Sequence, residues 1–135
     1  MEQLYKSLVE THKKHKQPII LLGFSQGAMF ACDLAYRYKD DPDCPFIGVV
    51  AIAPPYFSSW RVSDLVPCQV PLVLVTSPQD KNVSAKESQK WWAHFTTTHH
   101  YESQKGHKTH FPAELRNLVY SVFTPSNKES SRTVT

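Results

Sequence analysis

A five-residue turn, Gly23-Phe24-Ser25-Gln26-Gly27, constrains this chain more than any other stretch, because of what stands on either side of it. Before it, Pro18-Ile19-Ile20-Leu21-Leu22 is a continuous apolar run rich in branched residues, the pattern of a parallel strand buried on both faces. After it, Ala28 to Tyr36 has helical periodicity and small residues that permit close packing. A strand that passes straight into a helix turns so sharply that its central residue is forced into a strained backbone conformation, and the residues two before and two after it have to be small. Ser25 then stands above the sheet with its hydroxyl exposed. Gln26 starts the helix with an N–H that has no intrahelical acceptor and is aimed at the same space.

Strands and helices continue to alternate. Met1 to Lys16 reads as a helix from Leu4, Leu8 and His12 at four-residue spacing, with Pro18 marking its end. Phe46 to Ile52 and Val70 to Thr76 read as the second and third strands. Between them Pro54-Pro55-Tyr56-Phe57 has to leave the sheet, because proline lacks the ladder donor, and is expected to line a pocket. Ser84 caps a helix running to about Phe95, with Glu87 completing a capping box. Thr98 to Ser103 reads as a weaker fourth strand, and Pro112-Ala113-Glu114-Leu115 opens a last helix. The alternation predicts an α/β fold, a parallel sheet with flanking helices. One partial domain is expected over residues 1–123, followed by a disordered Ser-, Thr- and Lys-rich tail over 124–135.

Composition narrows the function by exclusion. A chain of 135 residues that is 41% hydrophobic has the size and apolar content of one globular domain. A net charge of +3 and one short basic run, Lys13-Lys14-His15-Lys16, are too little to argue for nucleic acid. Cys32, Cys44 and Cys68 are odd in number and form no C-x-x-C pair, so neither a disulfide framework nor a zinc site is expected, and neither is any other metal or cofactor. Residues 1–17 lack the apolar centre of a secretory signal, and no apolar run reaches the roughly 20 residues of a membrane helix. The expected home is the cytoplasm, with the nucleus also accessible, and no stable membrane insertion.

The chemistry centres on Ser25. A serine hydroxyl is a weak nucleophile until a histidine takes its proton and an acid holds that histidine in the right tautomer. Asp80 is the acid that falls just past the third strand, at the sheet edge where Ser25 also lies. Among seven histidines, His12 and His15 precede Ser25, His94 sits in a helix, and His99 and His100 fall on a strand. His107 and His110 remain, in the loop after the last strand. His107 is favoured because Gly106 frees the backbone before it, and His110 stays as the alternative. Gln26 is the candidate oxyanion donor. Phe24, Tyr56 and Phe57, with Met29, Pro55 and Trp60 beside them, are the candidate substrate-binding residues.

Gly23-Phe24-Ser25-Gln26-Gly27-Ala28, Asp80-Lys81-Asn82-Val83 and Lys105-Gly106-His107 together resemble the FSH serine hydrolases of the α/β-hydrolase class. The separations, 55 residues from Ser25 to Asp80 and 27 from Asp80 to His107, are similar to that family's. The resemblance spans about Pro18 to Phe123 and implies an esterase acting on small-molecule or lipid-like carboxylic esters, with Ser25, Asp80 and His107 as the matching triad. Three departures accompany it. Ser77-Pro78-Gln79-Asp80 lacks the glycine and first acid of the family's Gly-Asp-x-Asp-x-x-x-Pro pattern, with Ser84 near the expected proline. Lys108-Thr109-His110-Phe111-Pro112 holds back the proline that normally follows the base closely. The family also carries an N-terminal section with the first strands and a second oxyanion N–H, and this chain starts one helix before the nucleophile strand. The expectation is therefore a hydrolase-type sheet without its N-terminal strands, an open apolar sheet edge and reduced activity. The turn is shared with acyl-protein thioesterases, so cleavage of thioesters from acylated proteins is the competing chemistry. A non-catalytic fragment that binds a partner through its sheet edge or through Trp91-Trp92 is the competing role.

Overall fold

The branched apolar runs become four strands of one sheet: β1 (Ile19–Phe24), β2 (Phe46–Ile52), β3 (Leu72–Thr76) and β4 (Thr98–Glu102). The computed structural model describes residues 2–56 and 66–124. The strands pair in chain order, β1-β2-β3-β4, and every pairing is parallel. Among the described residues four helices accompany them: α1 (Glu2–His15), α2 (Gln26–Arg37), the short α3 (Ala85–Ser88) and α4 (Ala113–Phe123). A 3-10 helix, Gln89–His94, continues α3.

Alternation along the strands splits the core into two layers. Val49, Ala51, Leu72 and Leu74 face one side, where Ala28, Ala31, Cys32, Leu34 and Ala35 of α2 and Tyr5 of α1 cover them. Val50, Ile52, Val73 and Val75 face the other, under Leu115 and Phe123 of α4. The small residues of α2 do what their size suggests and bring the helix close to β1 and β2. Tyr5 anchors α1 by stacking on Tyr38, with ring centroids 3.7 Å apart, and by donating a 2.8 Å hydrogen bond to Asp41 Oδ2.

Three sequence expectations need correction. The first strand was expected to be buried on both faces, yet Leu22 is 62% and Ile20 39% exposed. Among the described residues β1 is an edge strand, and its Ile20 and Leu22 lie on a partly open apolar face, as the expected apolar edge requires. The helix after Ser84 is α-helical for one turn only. Its Ser84 cap forms, with the Glu87 N–H donating to Ser84 Oγ at 3.0 Å, but the Glu87 carboxylate accepts instead from the Tyr56 N–H at 3.0 Å, so the reciprocal half of the capping box is missing. Trp91-Trp92 is no exposed pair either, because Trp91 is buried and donates its Nε1–H to the Pro55 carbonyl at 2.8 Å. Pro112 opens α4 as expected, standing at its N-cap. Phe57, Trp60 and the tail beyond residue 124 lie outside the described residues. Among those described, no helix is long and apolar enough to cross a membrane.

One contact makes the α4 layer testable. Gly48 of β2 lies directly beneath Phe123, so close that an added Cβ would stand 1.9 Å from the ring. Gly48→Ala should therefore destabilise the fold by about 2 kcal/mol through overpacking. Trimming the ring as well, in Gly48→Ala with Phe123→Leu, should recover part of that loss in urea denaturation.

Candidate active site

Three loops at the carboxyl ends of β1, β3 and β4 build the site. β1 runs on to Ser25, whose N–H donates to the Ile52 carbonyl at 2.8 Å before the chain enters α2. Ser25 has φ 55° and ψ −120°, the strained conformation expected of the turn. The closeness behind this strain is local: a Cβ on Gly23 would stand 2.3 Å from the Gly27 carbonyl oxygen. At Gly27 itself a Cβ would meet open space, so the requirement for a small residue holds at Gly23 only. Ser25 does not cap α2 with its side chain. Its hydroxyl is left for other partners.

That partner is His107. The Ser25 Oγ–H donates to His107 Nε2 at 3.0 Å, and the opposite ring nitrogen, Nδ1–H, donates to Asp80 Oδ2 at 2.7 Å. Asp80 follows β3, and its other oxygen accepts the N–H groups of Asn82 at 2.8 Å and Val83 at 2.9 Å. The carboxylate accepts and cannot donate, so it fixes the proton on Nδ1 and leaves Nε2 free to accept from Ser25. Burial of Asp80 opposes its ionisation, but the Val83 N–H, the His107 ring and the Asn82 N–H outweigh it, and the carboxyl titrates below its ordinary value. Gly106, at φ +72°, supplies the left-handed step that turns His107 inward. The ring of Phe24 lies against His107 at 4.8 Å between centroids.

The surrounding space is an open cleft of about 560 Å³ lined by Phe24, Lys105, His107, Lys108, Thr109 and His110. It shares Phe24 and Thr109 with an apolar groove of about 290 Å³, which Leu22, Ile52 and Phe111 also line. Gln26 is the first residue of α2, and its N–H lies in the first turn, where helices lack internal acceptors. Of the sequence candidates, Ser25, Asp80, His107 and Phe24 therefore meet in one place. His110 lies on the cleft wall and makes no hydrogen bond to Ser25. Tyr56 is elsewhere: it packs on Trp91 at 5.2 Å, and its hydroxyl meets His94 Nε2 at 2.8 Å, because the chain leaving β2 folds back over α3 and the 3-10 helix. Pro55 serves the same packing through its carbonyl, and Met29 packs against the core on the α2 side of the sheet. Ser77 escaped the sequence reading although its buried hydroxyl joins the two loops; its place as the first residue after β3 was the available signal. Among the described residues no group of three or more His, Cys, Asp or Glu could hold a metal ion.

A parallel sheet that presents a serine on a strained strand-to-helix turn, an acid after a later strand and a histidine after the last one defines an α/β-hydrolase. The chain belongs to the serine hydrolase (FSH1) family, whose model matches residues 1–118. Solved structures share the fold. The Bacillus cereus carboxylesterase is 20% identical, with a TM-score of 0.69 over 88% of this chain and 57% of that one. YahD, solved with malic acid, is 17% identical, with a TM-score of 0.67 over 90% and 61%. A variant of Arabidopsis thaliana SOBER1 is 14% identical, with a TM-score of 0.65 over 89% and 60%. The chain thus spans about three fifths of the length of these proteins. A search of curated proteins finds no match.

The lowered Asp80 titration sets a pH signature. A carboxyl depressed in the fold stabilises it fully above the ordinary value of 3.8 and loses that contribution as pH falls through the lower folded value. The stability gap between the wild type and Asp80→Asn should be widest near about pH 7 and shrink toward about pH 3. Urea midpoints at several pH values measure it; a gap independent of pH would contradict an ionised Asp80.

Proposed function

We propose that this chain is a serine carboxylesterase in which Ser25 is the nucleophile, His107 the general base and acid, and Asp80 the residue that orients His107. The single observation that carries the reading is the continuous Ser25–His107–Asp80 hydrogen-bond relay, at 3.0 and 2.7 Å, assembled from residues 82 and 27 positions apart. Membership of a serine hydrolase family supports it.

The steps follow from the geometry. Ser25 Oγ attacks the ester carbonyl carbon while its proton passes to His107 Nε2, and the imidazolium so formed lies against the Asp80 carboxylate. Negative charge then grows on the former carbonyl oxygen, where the Gln26 N–H at the start of α2 stabilises it. As the tetrahedral species collapses, His107 returns the proton to the departing alcohol. Water, deprotonated by the same nitrogen, next attacks the acyl-enzyme and releases the acid. Phe24 forms the apolar wall beside the reacting atoms, and the cleft and groove that meet there accommodate the acyl and alcohol parts of a small or lipid-like ester. Three cysteines without a framework pattern suit a reducing compartment, the cytoplasm or nucleus.

An active-site fluorophosphonate should label the wild type and fail on Ser25→Ala. Nitrophenyl ester hydrolysis should fall by about 10⁴ in Ser25→Ala and in His107→Ala, while His110→Ala stays within about threefold. Labelling that survives Ser25→Ala would remove the serine from its role. A higher kcat/KM for acyl thioesters than for matched oxygen esters would move the assignment to thioester cleavage.

A further inference from the structure

We propose that Ser77 is a positioning residue that holds the acid-bearing and base-bearing loops in register and thereby aims His107 at Ser25; the proposal rests on the esterase reading above. β3 and β4 end side by side, with Thr76 opposite Glu102, and the Ser103 N–H donates to the Thr76 carbonyl at 2.7 Å. Beyond that bond the ladder stops, and the loops carrying Asp80 and His107 need other means of alignment.

Ser77 supplies a buried one. It is 3% exposed, and its hydroxyl has a full set of partners. It accepts from the Gly106 N–H at 2.9 Å and from the Gln79 N–H at 3.2 Å, and it donates to Gln79 Oε1 at 3.0 Å. Its carbonyl accepts the Asp80 N–H at 3.1 Å. One residue thus holds the acid loop with its backbone and the base loop with its side chain. The second point is Gly106: the residue whose N–H is tied to Ser77 immediately precedes His107 and itself takes the left-handed step that directs the ring. The other link between the loops apart from the triad itself, Gln79 Nε2 to Gln104 Oε1 at 2.9 Å, is exposed to competing water. Ser77 touches no reacting atom. Its effect is on distance, and misplacement by about 1 Å is enough to cost roughly 10²-fold in rate.

The test uses the whole chain with Ser77→Ala, Ser77→Thr and Gln104→Ala, and reads kcat and KM on a nitrophenyl ester together with the far-downfield proton signal of the His107 Nδ1–H. Ser77→Ala should lower kcat by about 10- to 100-fold with KM within about twofold, and should broaden or abolish the Nδ1–H signal. Ser77→Thr keeps the hydroxyl and should restore both, and Gln104→Ala should change kcat by no more than about twofold. If Ser77→Ala keeps wild-type kcat and signal, the proposal is overturned. It is also overturned if Ser77→Ala loses cooperative unfolding and Ser77→Thr restores folding without restoring the signal. The two readings separate through the spectrum: a wild type that shows the signal and loses it in Ser77→Ala, yet neither hydrolyses ester nor reacts with fluorophosphonate, would retain Ser77's role and remove the esterase. A folded wild type that shows neither the signal nor any hydrolysis or labelling would overturn both.

Discussion

The backbone of Ser25, held at φ 55° and ψ −120°, is the constraint on which the rest of the structure depends. Such a conformation costs on the order of 1–3 kcal/mol and persists only where its surroundings leave no alternative. Here the surroundings are specific. The Ser25 N–H is bound to the Ile52 carbonyl on β2, its carbonyl receives the Met29 N–H of α2, and Gly23 lies against the backbone of Gly27. Ala28 of α2 is fully buried against the sheet, so the helix cannot retreat to relax the turn. Relief of strain at one residue would require β1, β2 and α2 to separate. The hydroxyl therefore projects at the end of the sheet as a property of the core.

A second constraint is electrostatic. Asp80 is nearly excluded from water, and a buried carboxylate without partners would take up a proton. Its three hydrogen bonds come from its own loop and from His107, so the charge is retained and the tautomer of His107 follows from it. The arrangement explains why the relay runs through the residue after Gly106 and not through His110: the ring has to reach the carboxylate and the hydroxyl together, and the left-handed step at Gly106 gives that direction. His94, by contrast, is buried within an aromatic cluster of Tyr36, Tyr56 and Trp91, where burial lowers its tendency to hold a proton.

What could be read from sequence was local or rested on spacing. The strand, turn and helix around Ser25 are contiguous, and their physics lies within about 20 residues, so their reading carries over almost unchanged; the parallel sheet follows from repetition of the same unit. Asp80 and His107 were legible because both follow strands, which places them at one sheet edge. Where the reading failed, the deciding partner lay far along the chain. The exposure of Leu22 depends on what pairs and covers β1, the diversion of Glu87 depends on the Tyr56 N–H 31 positions away, and Tyr56 itself is drawn from the cleft by His94, 38 positions away. Ser77 looked like a weakened version of a family pattern because a hydrogen bond to the backbone of Gly106 has no side-chain signature.

Strand order matching chain order also has a kinetic meaning. The relay joins residue 25 to residue 107, the widest separation among the side-chain hydrogen bonds, and it draws on the first and last strands of the sheet. Such a contact forms late, because the chain between its ends has to be organised before closing so long a loop is rewarded. A chain that has assembled only β1 to β3 holds its serine on a finished turn with no histidine beside the hydroxyl. The same topology leaves the relay incomplete until β4 has joined the sheet.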